Sequence, residues 1–267
     1  MRICCWSKAR EYSHPISRAS GRRRDFIIAV AGTTAAFPFV ARAEQPDRTR
    51  RIGVLMGYAE TDPQAQARVK ALVDGLQELG WRDGSTARLE IRFGGGDPEG
   101  TQRLAKELVE LEPDVIVSNT TPVTAALHRE TKTIPIVFAI VSDPVGDGFV
   151  ATLAQPGGNI TGFINLEESI TGKWLELLKE LDPHVRRAAI IYNPATAAGS
   201  GSYFLRSFEK AAQSFAITPL MIPVGNDADI EAAISALGRE PGGGLVMMSD
   251  VFTTVQRTVS CHSEQLC

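Results

Sequence analysis

From Arg51 onward, short apolar runs alternate with segments whose apolar residues recur at helical spacing. The first run, Arg51–Gly57, is bounded by charge and glycine, which is typical of a buried strand. In the next segment, from Ala65 to Leu79, apolar residues recur three and four positions apart, which indicates a helix. Strands that alternate with helices predict parallel sheets covered by helices on both faces. We therefore expect an α/β fold.

The alternation occurs in two blocks, on either side of the segment PGGNITGFINLEES. This predicts an N-terminal α/β lobe over residues 44–155, a crossing over 156–169 and a C-terminal α/β lobe over 170–257. Polar residues gather in the loops that follow predicted strands, in the stretches MGYAETDPQ, SNTTPVT, VSDPVGDG, NPATAAGSGS and SDVFTT. Ligands of open α/β sheets bind beyond the carboxyl ends of the strands. We expect these loops to line a cleft that takes a small polar solute.

The stretch before the first strand has the features of an export signal. The basic cluster Arg22–Arg24 precedes Phe26–Val40, an uncharged run of fifteen residues. That run is too short to span a bilayer, which takes about 20 apolar residues. It ends at an A-x-A triplet, so we predict that residues 1–43 are removed by cleavage after Ala43 and that the protein is periplasmic.

The export route stays open between two systems. Arg23 and Arg24, followed by Asp25 and Phe26, resemble a twin-arginine signal, but Arg22 stands where a serine or threonine is usual. The general secretory route is the alternative. Residues 1–20 fit no part of an export signal, which predicts that the true start codon lies further downstream.

Charge and cysteine usage limit the functions that the remainder can have. Residues 1–43 hold eight Lys/Arg and two Asp/Glu, which leaves 20 basic and 29 acidic residues and a formal net charge of −9. A chain with this negative net charge lacks the excess of basic residues that nucleic-acid binding requires. Cys4 and Cys5 precede the predicted cut, and Cys261 and Cys267 lie near the end. The body between them offers no cysteine for a disulfide framework or a metal site.

The sequence gives little evidence of catalytic motifs. The chain has neither a phosphate-binding G-x-x-x-x-G-K-[ST] nor a G-x-S-x-G elbow. Gly146–Ala151 matches G-x-G-x-x-A, follows a predicted strand and enters a predicted helix, which makes a dinucleotide-binding oxidoreductase the alternative function. Its position at a fourth strand and the nearby Asp143 and Asp147 argue against that alternative. We expect no enzyme activity, no cofactor and no metal.

Two long segments carry a family resemblance. They read VSDPVGDGFVATLAQPGGNITGF and KWLELLKELDPHVRRAAIIYNP. The chain from about residue 22 to 257 resembles substrate-binding proteins of ABC transporters, in the family that includes tryptophan- and tyrosine-binding members. The resemblance implies a two-lobed periplasmic-binding fold of the class I type, and a monomeric protein that delivers a small solute to a permease and its ATPase. It also implies that the ligand is bound by Tyr58, Thr120, Thr121, Ser142, Asp143, Asn165, Asn193 and Asp250.

Each of these residues also has a local structural role open to it. Asp143 could cap a turn before Pro144. Asn165 and Asn193 could be turn residues, and Thr120 and Thr121 could cap the helix that Pro122 begins. If the ligand role holds, hydroxyl and amide donors would bind a solute carboxylate, and Asp143 or Asp250 would bind an amine.

The last ten residues, 258–267, depart from the family pattern because they carry no apolar periodicity. We interpret them as an aberrant tail that replaces further strand and helix units. A truncated, non-functional fragment is therefore a further alternative. Sheets left without those units would expose edges and apolar faces, so we expect low stability and aggregation.

Overall fold

The computed structural model describes residues 49–256. Three sequence predictions lie outside the described residues: the export signal, the cleavage site at Ala43 and the tail with Cys261 and Cys267. No helix among the described residues has the length and apolar character that crossing a membrane would require.

The first sheet is built from one contiguous part of the chain. Its five strands pair in parallel in the order β2-β1-β3-β4-β5. Three helices alternate with the strands. The elements are β1 (Arg50–Met56), α1 (Pro63–Glu78), β2 (Ala87–Phe93), α2 (Pro98–Glu110), β3 (Val115–Asn119), α3 (Thr121–Glu130), β4 (Ile136–Val141) and β5 (Ile160–Ile164).

The second sheet follows in the next part of the chain. Its three strands are also parallel, in the order β7-β6-β8. A short 3₁₀ turn, Ala198–Gly201, precedes its second helix. The elements are α4 (Ile170–Leu181), β6 (Arg187–Tyr192), α5 (Ser202–Ser214), β7 (Thr218–Pro223), α6 (Asp227–Gly238), β8 (Gly243–Met247) and α7 (Val251–Val255). The predicted α/β class with parallel sheets is confirmed.

The central strand of each sheet, β1 in the first and β6 in the second, is buried on both faces, which is why these two strands read as continuous apolar runs. On β1, Leu55 belongs to the core against α2 and α3, whereas Val54 belongs to the core on the opposite face. On β6, Ile190 and Ile191 divide in the same way between two cores. Because successive side chains of a strand point to opposite faces, one apolar run serves two cores.

Several helices begin at a capping side chain that the sequence indicates. Asp97 accepts hydrogen bonds from the backbone N–H groups of Glu99 and Gly100 at 3.1 and 2.9 Å, and Pro98 opens α2. Such caps satisfy N–H groups that have no partner inside the helix. An aspartate followed by proline is a helix-start signal that can be read directly from the sequence.

Two boundary predictions need correction. Residues 160–164, inside the predicted crossing 156–169, form β5 and pair with β4, so the connection between the sheets is confined to residues 165–169. The helix predicted after Gly146 is absent from the described residues, because the chain between β4 and β5 makes turns instead. The match at Gly146–Ala151 therefore lacks the helix N-terminus that holds a dinucleotide pyrophosphate.

Candidate functional site

A cavity lies between the two sheets, beyond the carboxyl ends of their strands. The chain segments that follow β1, β3, β4 and β5 form one wall, and those that follow β6 and β8 form the other. Its empty volume is about 320 Å³, with open solvent at the mouth included. It is lined by Tyr58, Thr120, Thr121, Ile140, Ser142, Asn165, Thr196, Ala198, Ser249, Asp250, Val251 and Thr254.

Six of the eight residues predicted to bind a ligand line this cavity. They are Tyr58, Thr120, Thr121, Ser142, Asn165 and Asp250. Asp143 and Asn193 do not line it. The Asp143 carboxylate accepts a hydrogen bond from the Gly146 N–H at 2.8 Å, and the side-chain amide oxygen of Asn193 accepts one from the Ala195 N–H at 2.8 Å. Both side chains therefore have the turn role that was their alternative.

Sequence reasoning missed the other half of the lining. Five of the missed residues lie in two loops that were predicted to face the cleft. Apart from their position in these loops, nothing in the sequence marked them as lining residues. They are Thr196, Ala198, Ser249, Val251 and Thr254. Ile140 lies within β4 and carried no signal, because an apolar strand residue is expected in the core.

Thr120 combines backbone strain with an unpartnered hydroxyl. It follows β3 at the N-terminus of α3 with φ 90° and ψ 156°, a region that β-branched residues avoid. The residue is 2% exposed, and its Oγ1 has no hydrogen-bond partner among the described residues. The hydroxyl does not cap α3. Strain of this kind persists where the surroundings enforce it and occurs preferentially at binding sites.

The backbone at Thr120 is held in this conformation by its neighbours. Its carbonyl oxygen accepts a hydrogen bond from the Thr124 hydroxyl at 2.9 Å, and Thr124 Oγ1 lies 2.8 Å from Ser118 Oγ. On the other side, a Cβ at Gly57 would lie 2.5 Å from Thr120 Oγ1. Only glycine at position 57 leaves room for that hydroxyl.

Ile140 is a second strained residue of the lining. Its φ is 59°, in the left-handed region, and the pairing of β4 with β5 shifts register between Ala139 and Val141. A bulge of this kind redirects a side chain and ends regular pairing. It places Ile140 and Ser142 in the cavity wall, where the Ser142 hydroxyl donates to the side-chain amide oxygen of Asn165 at 3.4 Å.

Asp250 ties the two loops of the second sheet together. It is 7% exposed and caps α7, with Oδ1 accepting from the Thr253 N–H at 2.8 Å and from the Thr196 hydroxyl at 3.0 Å. Its Oδ2 accepts from the Asn193 N–H at 3.1 Å. Burial raises the pKa of the Asp250 carboxyl, and these hydrogen bonds act in the opposite direction.

Asp147 connects the two walls directly. It belongs to the loop between β4 and β5, and its Oδ1 accepts from the Gly199 N–H at 3.2 Å, in the 3₁₀ turn before α5. Its Oδ2 is buried without a hydrogen-bond partner in the described part of the chain. Burial raises the pKa of the Asp147 carboxyl, the Gly199 N–H lowers it, and the charge of Asp143 raises it. This contact links the sheets in addition to residues 165–169.

The sequence is similar to that of a curated protein. The chain is 32% identical over 134 residues to a tyrosine-binding protein of Clostridioides difficile, a match that covers 49% of this chain and 37% of that protein. It therefore spans little more than a third of the curated relative it matches.

Solved structures are similar over more of the chain. A conserved domain protein from Vibrio cholerae is 31% identical, with a TM-score of 0.65, and the match covers 71% of this chain and 62% of that one. An ABC domain from Streptococcus pneumoniae in complex with L-Trp is 24% identical, with a TM-score of 0.73, and the match covers 82% of this chain and 71% of that one. The latter similarity shows the fold alone.

The match to a protein family covers most of the described residues. Residues 58–262, more than half of the chain, match the family described as ABC transporter substrate binding protein. The chain belongs to the ABC transporter substrate binding protein family.

Proposed function

We propose that this protein binds an amino acid or a related carboxylate solute in the cavity between its two sheets. The observation that carries the proposal is Thr120, a buried residue of the cavity wall whose hydroxyl has no partner and whose backbone is strained. Buried polar groups are nearly always hydrogen-bonded, and an unpartnered one is costly. A bound solute would supply the missing partner.

The cavity has different groups on its two walls. On the first wall, Thr120 and Thr121 stand at the N-terminus of α3, where the helix dipole and free N–H groups favour a negative charge. On the second wall, Asp250 Oδ2 accepts one hydrogen bond in the structure and has capacity for another. We assign a solute carboxylate to the first wall and an ammonium group to Asp250. We do not assign Asp143 a role in binding the ammonium group.

Similarity to known proteins supports an amino acid as the solute. The relative from Clostridioides difficile is named a tyrosine-binding protein. The role proposed is one of binding, without catalysis and without a cofactor, since the groups at the cavity suit recognition of a charged solute.

The ligand is tested with the full chain against L-tyrosine, L-tryptophan and L-leucine, with NAD as the competing class. We expect one of the amino acids to raise the melting temperature, and calorimetry to give its affinity. Replacing Thr120 with valine keeps the shape and removes the hydroxyl, so that affinity is expected to fall about tenfold or more, as for a lost hydrogen bond to a charged group. A melting shift with NAD alone would overturn the proposal.

A matched variant separates binding from folding. Thr161 is exposed on β5 and does not line the cavity, so Thr161→Val is expected to leave the affinity unchanged. Equal affinities for Thr120→Val and Thr161→Val would remove the Thr120 hydroxyl from the site.

We further propose that the protein is exported and acts in the periplasm as the monomeric solute-binding component of an ABC importer, with a permease and its ATPase as partners. Family membership supports a substrate-binding role. The basic cluster, the apolar run and the A-x-A triplet before Glu44 support export.

Export has its own test. Mass spectrometry of the protein from a periplasmic extract is expected to find Glu44 at the N-terminus. Substituting lysine for Arg23 and Arg24 together is expected to block export if the route is the twin-arginine one and to leave it intact if the route is the general one. An uncleaved chain that stays in the cytoplasm would contradict the proposal.

A further inference from the structure

Two loops that belong to different sheets meet beside the cavity. Residues 142–159 connect β4 to β5 in the first sheet, and the 3₁₀ turn Ala198–Gly201 precedes α5 in the second. Asp147 of the first loop accepts a hydrogen bond from the Gly199 N–H of the second at 3.2 Å. Ala198, the residue before Gly199, lines the cavity. This hydrogen bond therefore holds part of the second wall against a loop of the first sheet.

The turn that carries Gly199 has an unusual backbone. Three successive residues have a positive φ: 55° at Gly199, 53° at Ser200 and 96° at Gly201. The left-handed region is uncommon for a residue such as serine, and it persists where the surrounding structure enforces it. The hydrogen bond to Asp147 is one contact that keeps the turn in this conformation.

The two oxygens of Asp147 act in opposite directions at this junction. Oδ1 accepts the hydrogen bond from Gly199, whereas Oδ2 is buried and has no hydrogen-bond partner within residues 49–256. A buried polar atom without a partner is destabilising, and the nearby negative charge of Asp143 adds to the cost. Water would hydrate Oδ2 if the two loops separated. One oxygen therefore favours contact between the loops and the other favours their separation, which suits a contact that opens and closes.

We propose that Asp147 and the Gly199 N–H form a latch between the two sheets, which holds the cavity in the closed arrangement seen in the structure. Asp147 does not line the cavity, so it is a positioning residue that acts through the turn carrying Ala198. The latch belongs to the protein without solute, and the inference therefore goes beyond the proposed function. The sequence did not mark Asp147 for this role, because its partner is a backbone N–H 52 positions further along the chain.

The first test measures hydrogen exchange of the Gly199 amide in the full chain without solute. In Asp147→Ala this amide loses its acceptor, so its exchange is expected to accelerate about threefold or more, as for one lost hydrogen bond. Asp147→Asn keeps an oxygen that can accept from Gly199 and removes the charge beside Asp143. Its Gly199 amide is expected to exchange no faster than that of the unmodified protein. Exchange of the β6 amides is expected to be the same in all three proteins.

The second test measures how far the two sheets separate. Small-angle X-ray scattering of the monomer fraction, again without solute, gives the radius of gyration. Without the latch the sheets are expected to separate more often, so Asp147→Ala should have a larger radius of gyration than the unmodified protein and Asp147→Asn. A residue that only stabilised its own loop would leave the radius of gyration unchanged.

Asp229→Ala is the matched control. Asp229 also accepts a hydrogen bond from a glycine N–H, that of Gly225 at 2.7 Å, but both residues belong to the part of the chain that forms the second sheet. This variant is expected to leave the Gly199 exchange rate and the radius of gyration unchanged.

Three results would overturn the inference. The first is equal acceleration of Gly199 exchange in Asp147→Asn and Asp147→Ala, or no acceleration in either. The second is a rise in β6 exchange as large as that at Gly199, because Asp147→Ala would then destabilise the second sheet as a whole. The third is an unchanged radius of gyration in Asp147→Ala. All three are measured without solute, so each would leave the proposed function intact.

Discussion

Replacing Asp250 with alanine is expected to lower the free energy of unfolding by about 2–5 kcal/mol and to abolish solute binding. The substitution removes the cap of α7 and leaves the buried N–H of Asn193 without its acceptor. It also frees the Thr196 hydroxyl, so the two loops that form the second wall lose the group that joins them. Denaturant unfolding and calorimetry measure the two losses.

The size of this effect is expected to depend on pH. Because burial raises the pKa of Asp250 in the fold, the folded state holds this proton at pH values where the unfolded state has released it. The stability that Asp250 contributes is therefore fully present below the unfolded pKa and decreases as pH rises toward the folded one. The gap between the unmodified protein and Asp250→Ala should be wider near pH 4 than near pH 8.

A second capping aspartate serves as the control. Asp97 caps α2 and does not line the cavity. Asp97→Ala is expected to cost about 0.5–2 kcal/mol of stability and to leave solute affinity unchanged. If Asp250→Ala behaved in the same way as Asp97→Ala, Asp250 would be a helix cap without a role in binding.

Alanine at Gly162 is expected to destabilise the first lobe by about 3 kcal/mol, an unusually large effect for one added methyl group. Gly162 lies in β5 opposite Phe138 of β4. A Cβ at this position would overlap the Phe138 carbonyl oxygen and lie 2.6 Å from the Phe138 Cγ. A backbone carbonyl inside a paired strand cannot rotate away, so β5 must separate from β4.

The matched variant is Gly158→Ala, just before the same strand. A Cβ at Gly158 would meet no heavy atom within 4 Å, and the backbone there does not need glycine. We expect a change within about 1 kcal/mol, since alanine also restricts the unfolded chain. Thermal or denaturant unfolding of both variants measures their stabilities. Equal stabilities would contradict the prediction and show that β5 can shift to accommodate the added methyl group.

Most helices and strands could be predicted from the sequence because the patterns that mark them are local. Gly57 and the charges around β1 bound an apolar run, and Asp97 with Pro98 marks the start of α2, so short windows identify both. The whole of β5 was missed by this reasoning. Its residues Thr161 and Gly162 break the apolar run, and only pairing with β4 identifies Ile160–Ile164 as a strand.

The candidate site was predictable as a set of loops and less so as individual residues. Thr120 and Asp250 could be predicted because strand-end loops converge in this fold class. Asp143 and Asn193 belong to such loops too, but each turns its oxygen to a backbone N–H nearby, a choice that depends on local torsion angles.

Each sheet is built from one contiguous part of the chain, and this affects how the protein unfolds locally. All strands of the first sheet come from residues 50–164 and all described strands of the second from residues 187–247. Cooperative units of local unfolding commonly coincide with such contiguous blocks. Amide hydrogens of β1 and β6 can therefore exchange through two separate openings with different free energies. A solute held by both walls would couple these openings, so that its binding slows exchange in both sheets together.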